Sequence, residues 1–467
     1  MKKRKRPQEW KRKDKDDDNC ECCDLEKLFC LNNEDDEKKE VKIKVYPSLT
    51  NAILHEAVTL RRHFHRHPEL SYKEKNTAEF IVKELKAYVH THNSLCSVLG
   101  EKEIETKLTE NIDGTHGIVF DLVFGEGKTI MFRADMDALP IHETTNAEYT
   151  SVNEGVSHAC GHDAHMAILL TVAKVLLRDR KLRHHLQGVV RLIFQPAEEG
   201  GAGAKRMIAG KCLEDVDMVF GLHVWNFQTV GTIGVCEGAI TANSDRFEIV
   251  VTGKGGHGSQ PQATVDPIIV GAQVVTALQT IVSRSVDPFA PAVVSIGTFH
   301  SGDAANVIAG SATMKGTVRT KDERTKEIII KRMGEICTGI ATATGATIDL
   351  NYRHGYPATK STRSGALLVR RAASKVLSSG DIRLPYKSLA GEDMSYYLNE
   401  KPGAFFFVGS CSPENLKNPV PHHRSDFNID ERALSVGTSI FLHIIANSLT
   451  NSDDKKEEDL GDAAAAV

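Results

Sequence analysis

Residues 157–166 read SHACGHDAHM, placing three histidines, a cysteine and an aspartate within ten positions ahead of an apolar run. Cys160 and His162 are separated by one residue. In an extended segment such a pair points to the same side, so a thiolate and an imidazole could reach one ion. The following AHMAILLTVAKVLL reads as a buried helix, and His162 and His165 would share a face if its first turn is helical. The same ten residues also suit a redox thiol, or a capped helix start with polar residues at the surface. The choice rests on what lies elsewhere.

A second cluster is Glu198–Glu199, inside FQPAEEGGAGAKRM. Adjacent side chains point in different directions, so the two carboxylates can have different partners. One could hold a metal while the other faces its water. A metal lowers the pKa of that water toward ~7, and a nearby carboxylate can take the proton. The flanking glycines suggest a tight turn rather than two solvated surface acids. With His223, the donors mix thiolate, imidazole and carboxylate. That mixture suits zinc, manganese, cobalt or nickel better than calcium or magnesium. Five plausible ligands exceed one open catalytic site, so two ions are expected, ~3.5–4 Å apart as in two-metal hydrolases.

These residues stand at the ends of apolar, strand-like runs. TIMF ends in Arg133-Ala134-Asp135-Met136-Asp137, VVRLIF ends before Glu198–Glu199, and MVFGL ends in His223. In open α/β sheets, ligands bind beyond the C-terminal strand ends. Two amphipathic helices, split at His67–Pro68, precede these strands. The alternation predicts an α/β fold: a mixed, mainly parallel sheet flanked by helices. From residue 243 the order becomes β-α-β-β-α-β, a ferredoxin-like α+β unit inserted into the first domain. The expected organisation is a charged tail over 1–42 and a catalytic domain over 43–242 and 355–450. The insert covers 243–354, and a second tail covers 451–467.

The chain has 467 residues, 41% hydrophobic and 26% charged, with a net charge of −4. That balance gives no reason to expect nucleic acid or a membrane as partner. No apolar run approaches ~20 residues, so no transmembrane helix is expected. No apolar segment follows the basic start, so it does not read as a secretory signal. Six scattered cysteines beyond residue 40 suit reduced thiols in the cytosol. KKRKR reads as a solvated tail before a nuclear-import patch, and CECCDLEKLFC lacks the spacing of a metal site.

Taken together, RRHFHRHPELSYKE, FRADMDALPI, SHACGHDAHM, FQPAEEGGAGAKRMI, GLHVW, GKGGHGSQPQATVDP, NVIAGSATMKGTVRT, AGEDMSYYL and HHRSDFNIDERAL resemble a known family. They are similar to the co-catalytic metallopeptidase group of N-acyl-amino-acid amidohydrolases. That group includes hippurate hydrolases and plant indole-3-acetyl-amino-acid hydrolases. The match runs in family order from about residue 50 to 445.

The resemblance implies a bridging thiolate ligand at Cys160. It implies further ligands at His162, Glu199, His223 and His423, and a general base at Glu198. His423 is preferred to His422 because the family's ligand lies four residues before a phenylalanine, here Phe427. Asp137 would orient a ligand or the base, with Asp135 and Glu392 as further candidates. His158 and His165 would be bystanders. The insert would be a lid and dimerisation domain, and its His257 would reach a neighbouring active site in a homodimer and stabilise the oxyanion. Asn306 and Arg319 would bind the substrate carboxylate. Gly258, Ala309 and Ser425 depart from the family's usual residues without removing a ligand.

The expected enzyme is cytoplasmic and carries two divalent metal ions per subunit, manganese or zinc, with cobalt or nickel acceptable. It would cleave small N-acyl-L-amino acids. The alternative is a dipeptidase or aminopeptidase-like enzyme acting on free amines.

Overall fold

The computed structural model describes residues 43–450; the charged segments on either side lie outside the described residues. The first helix, α1 (Asn51–Arg66), is capped by the Thr50 side chain, which accepts from the Ile53 amide. It ends ahead of Pro68, and α2 (Lys75–Leu99) follows. Next come β1 (Glu105–Glu110), β2 (Ile118–Val123), β3 (Thr129–Asp135), α3 (His162–Arg178), the single-turn α4 (Arg180–His185) and β4 (Val189–Gln195). Helix α5 (Gly203–Ala209) leads to β5 (Met218–Thr229) and the two-residue strands β6 (Ile233–Gly234) and β7 (Gly238–Ala239).

The chain then builds β8 (Asn243–Thr252), β9 (Gly256–His257), α6 (Pro267–Arg284), β10 (Ala292–Ser301), β11 (Val307–Ile308), β12 (Ser311–Thr320), α7 (Glu323–Thr344) and β13 (Thr347–Tyr356). It closes with β14 (Lys360–Ser361), α8 (Arg363–Val376), β15 (Ile382–Arg383), α9 (Met394–Glu400), β16 (Gly403–Cys411) and α10 (Ala433–Leu449).

The large sheet runs β1-β2-β4-β3-β5-β16-β6-β15. Its central neighbours β4, β3, β5 and β16 are parallel, while β1, β2 and the β16–β6 pair are antiparallel. The four parallel strands therefore end on one edge. The apolar runs GIVFDLVFG, TIMFRAD, GVVRLIFQP and MVFGLHVW mark β2 to β5 correctly. The polar edge strand β1, ETKLTE, carries no such signal, because it is mostly exposed and only its backbone pairs with β2. Helix α3 is buried from His162 to Leu177, on every face, so it reads as continuous apolar sequence rather than as a stripe. It packs on α1, α2, α10 and β3.

The second sheet, β10-β12-β8-β13, is wholly antiparallel and built only from residues 243–356. With α6 and α7 it has the expected β-α-β-β-α-β order and its own core, including Ile249, Val274, Leu278, Met314 and Met333. Helix α6, at 18 residues, is long and apolar enough to cross a membrane by length and composition. It instead buries Val270, Val274, Leu278 and Ile281 in this small core.

Candidate metal centre and catalytic turn

The opening cluster sits at the start of α3, where the chain meets β5. Gly161 has φ +90°, and a Cβ there would lie 2.4 Å from Val224 Cγ2. Glycine is therefore needed both for the left-handed backbone and for the close approach. It presses Cys160 and His162 against the strand that carries His223. Cys160 Sγ lies 3.5 Å from His223 Nε2. The other ring nitrogen of His223 donates to the Val224 carbonyl at 2.6 Å, leaving Nε2 as the free lone pair.

His162 is arranged the same way. Its Nδ1 donates to the Asp137 carbonyl at 2.8 Å, and its buried Nε2 has no hydrogen-bond partner. Glu199 Oε1 is likewise buried without a hydrogen-bonding donor, 3.3 Å from His423 Nε2. The donor atoms of Cys160, Glu199 and His423 lie within 4.8 Å of one another, as do those of His162, Glu198 and Glu199 and those of Cys160, His223 and His422. Cys160 and Glu199 each belong to two such groups, which links the five expected ligands into one chain. Burial and the adjacent Glu199 and Glu198 carboxylates push the Cys160 thiol well above its ordinary value. A thiolate there requires a positive charge beside it. The orphaned lone pairs and this starved thiol fit a pair of divalent cations.

His422 falls beside the cluster but is otherwise engaged. Its Nδ1 donates to the Cys160 carbonyl at 3.2 Å, its Nε2 faces the Asn226 amide at 3.4 Å, and its ring stacks on Trp225. His423 adopts φ +65°, and its amide donates to the Ala159 carbonyl at 2.8 Å, turning its half-exposed ring toward Glu199. His165 has both nitrogens satisfied, by the Asp135 carboxylate at 2.6 Å and the Val224 amide at 3.0 Å. His158 is buried with neither nitrogen hydrogen-bonded, and burial pushes it down to about 3.

Glu198 is 7% exposed. Burial, with Glu392, Glu199 and Asp393 close by, holds its carboxyl well above the usual range. Its turn is held through the backbone. The Asp137 carboxylate accepts the Glu198 and Glu199 amides at 2.9 Å each and the Ser71 hydroxyl at 2.6 Å. Glu74 accepts the Ala197 amide at 2.8 Å, and Asp393 accepts the Ala204 amide at 3.0 Å. These bonds hold Ala197 and Ala202 at φ +55° and +53°, a conformation costly for alanine. Behind the turn, Arg133 bridges Asp135 at 2.5 Å, Asp393 at 2.7 Å and Glu392 at 3.1 Å, all buried.

Asp393, Glu74 and Ser71 were not singled out in the sequence. The adjacent acids of AGEDM were a signal for Asp393; Ser71 and Glu74 are ordinary residues whose role appears only when α2 meets the turn.

The remaining candidates lie on the small sheet's unit, outside these donor groups. His257 is exposed on β9, its Nδ1 facing the Ser259 hydroxyl at 2.8 Å. Asn306 is exposed beside it, its carbonyl accepting the Gly258 amide at 2.8 Å. Arg319 is half-buried, and its NH1 bonds to the Asp245 and Val318 carbonyls at 3.3 and 3.1 Å and to the Thr317 hydroxyl, all within its own sheet.

Residues 131–447 match the model of Peptidase family M20/M25/M40. The chain belongs to this family, and it is a hydrolase of amide bonds. An N-acyl-L-amino acid amidohydrolase of Geobacillus stearothermophilus is 40% identical over 320 residues, 68% of this chain and 80% of that protein. Thermostable carboxypeptidase 1 of Saccharolobus solfataricus is 37% identical over 386 residues, 81% of this chain and 92% of its own length. Among solved structures, the YXEP protein of Bacillus subtilis, described as a dinuclear metal binding peptidase, aligns with a TM-score of 0.71 at 32% identity. The alignment covers 86% of this chain and 99% of that one.

Proposed function

We propose that the protein hydrolyses N-acyl-L-amino acids to a carboxylic acid and a free amino acid. The observation that carries this reading is a buried carboxyl, Glu198, set against the linked donors His162, Glu199 and Cys160. Two divalent ions, manganese or zinc with cobalt or nickel acceptable, would polarise the acyl carbonyl and acidify the attacking water when held by Cys160, His162, Glu199, His223 and His423. Glu198 takes the proton from that water and returns it to the leaving amine, work that suits a buried carboxyl placed beside the metal ligands. Asp137 fixes the direction of both glutamates.

His257 is proposed to serve a second copy of the chain, donating to the oxyanion. A homodimer is supported by the edge of β10, which is unpaired among the described residues, and by Ile268, Ile269, Phe299 and Val307, which are exposed on the same unit. An unpaired apolar edge needs a cover. Asn306 stands beside His257 and is proposed to bind the substrate carboxylate, with Arg319 contributing whatever its own sheet leaves free. The unpaired, buried cysteines among the described residues suit a reducing, cytoplasmic setting. The test is a matched series on metal-reconstituted protein: acetyl, benzoyl and indolyl-acetyl amino acids against dipeptides of the same leaving amino acid with a free amine. Preference for the blocked substrates supports the reading. Preference for free amines transfers the enzyme to the dipeptidase or aminopeptidase class.

A further inference from the structure

The turn that carries Glu198 is held by side chains from the large-sheet body, with one exception. Tyr356 is the last residue of β13, in the small sheet. Its hydroxyl donates to the Glu198 carbonyl at 2.5 Å and accepts the Ala202 amide at 3.1 Å. One phenol thus closes the loop from the base to the second left-handed alanine. Tyr356 pairs with Ser244 where the chain enters and leaves the small sheet. This crossing is tied down on both sides. Asp245 accepts the Gly355 amide and the Tyr352 hydroxyl at 2.8 Å each, and Asn243 accepts the Ala358 amide at 2.9 Å. Tyr356 therefore joins the base of the small sheet to the backbone of Glu198.

We propose that Tyr356 is a positioning residue that locks the Glu198 turn to the base of the small sheet and so holds the catalytic base in place. The proposal rests on the assignment of Glu198 given above. The hydroxyl touches backbone on both sides and no reacting atom, so it acts through Glu198. A misplacement of the base on the ångström scale is costly to the chemical step and leaves ground-state binding nearly untouched.

The test is Tyr356→Phe in the full-length, metal-loaded protein, beside Tyr396→Phe. Tyr396 reaches the same crossing through the Gly355 carbonyl at 3.4 Å but makes no hydrogen bond to the turn. Phenylalanine keeps the ring and removes only the two turn contacts. The expected result for Tyr356→Phe is a fall in kcat of about tenfold or more. KM should stay within about twofold, with metal content and thermal midpoint close to wild type and Tyr396→Phe near wild-type kcat. A wild-type kcat in Tyr356→Phe overturns the proposal. So does a loss that tracks lost metal or lost folded protein, or an equal loss in both variants. A wild-type protein inactive on every acyl amino acid overturns the functional reading instead, and the positioning role with it.

Discussion

The Asp137 carboxylate spans the amides of Glu198 and Glu199, one oxygen to each, at 2.9 Å. It lies at the end of a different strand from the turn it holds, and its own carbonyl orients His162 at 2.8 Å. One residue thereby sets the proposed base and two proposed ligands. Asp137→Ala should leave two amides without their acceptor, a cost of about 1–3 kcal/mol for each that stays buried. Metal content and activity should fall together, while Asp137→Asn, which keeps one acceptor, should be intermediate. Metal analysis and kcat on the three proteins check this.

Glu198→Gln keeps the shape and neutral hydrogen bonding of the side chain but cannot take a proton. It should retain both metals and lose about 10²–10⁴ in kcat. Full turnover in that variant would remove Glu198 from the proposed role.

Exhaustive chelation should abolish hydrolysis, and manganese or zinc should restore it. Activity that survives chelation would point instead to a free nucleophile at Cys160, which the burial and carboxylate neighbours of that thiol oppose.

Burial, with Asp137 nearby, pushes Glu74 from 4.5 up to about 7. Because the folded value is the higher one, the folded protein binds this proton more tightly. The resulting stabilisation is full below about pH 4.5 and is lost as pH rises to about 7. Glu74→Gln mimics the neutral acid. It should match wild type near pH 4.5 and exceed it by about 3 kcal/mol at pH 8, as read by chemical denaturation. Equal stability at both pH values would refute the buried neutral acid.

Arg133 is 1% exposed and neutralises Asp135, Asp393 and Glu392. Arg133→Met fills similar space and strands these acids. A loss of about 3–5 kcal/mol in unfolding free energy is expected. A change under 1 kcal/mol would mean that the acids are neutral without it.

The sequence alone determined the strands β2 to β5, the buried helix α3, the ferredoxin-like order after residue 243 and the polar groups at the strand ends. All of these are local: an apolar run, a period, or a spacing of one residue between Cys160 and His162 is written in consecutive positions. The convergence of those groups was also legible, because parallel strands must end on one edge. Tertiary structure decided which groups are already engaged. In sequence, only the resemblance sets His165 and His422 aside; the structure supplies the reason, since Asp135, Val224, Cys160 and Asn226 occupy their nitrogens through contacts between distant segments. It also decided what holds Glu198. The side chains of Glu74, Asp137 and Tyr356 come from three separate elements, 61 to 158 positions away where the bonds are to the Glu198 backbone itself. No residue period records a hydrogen bond made across that distance.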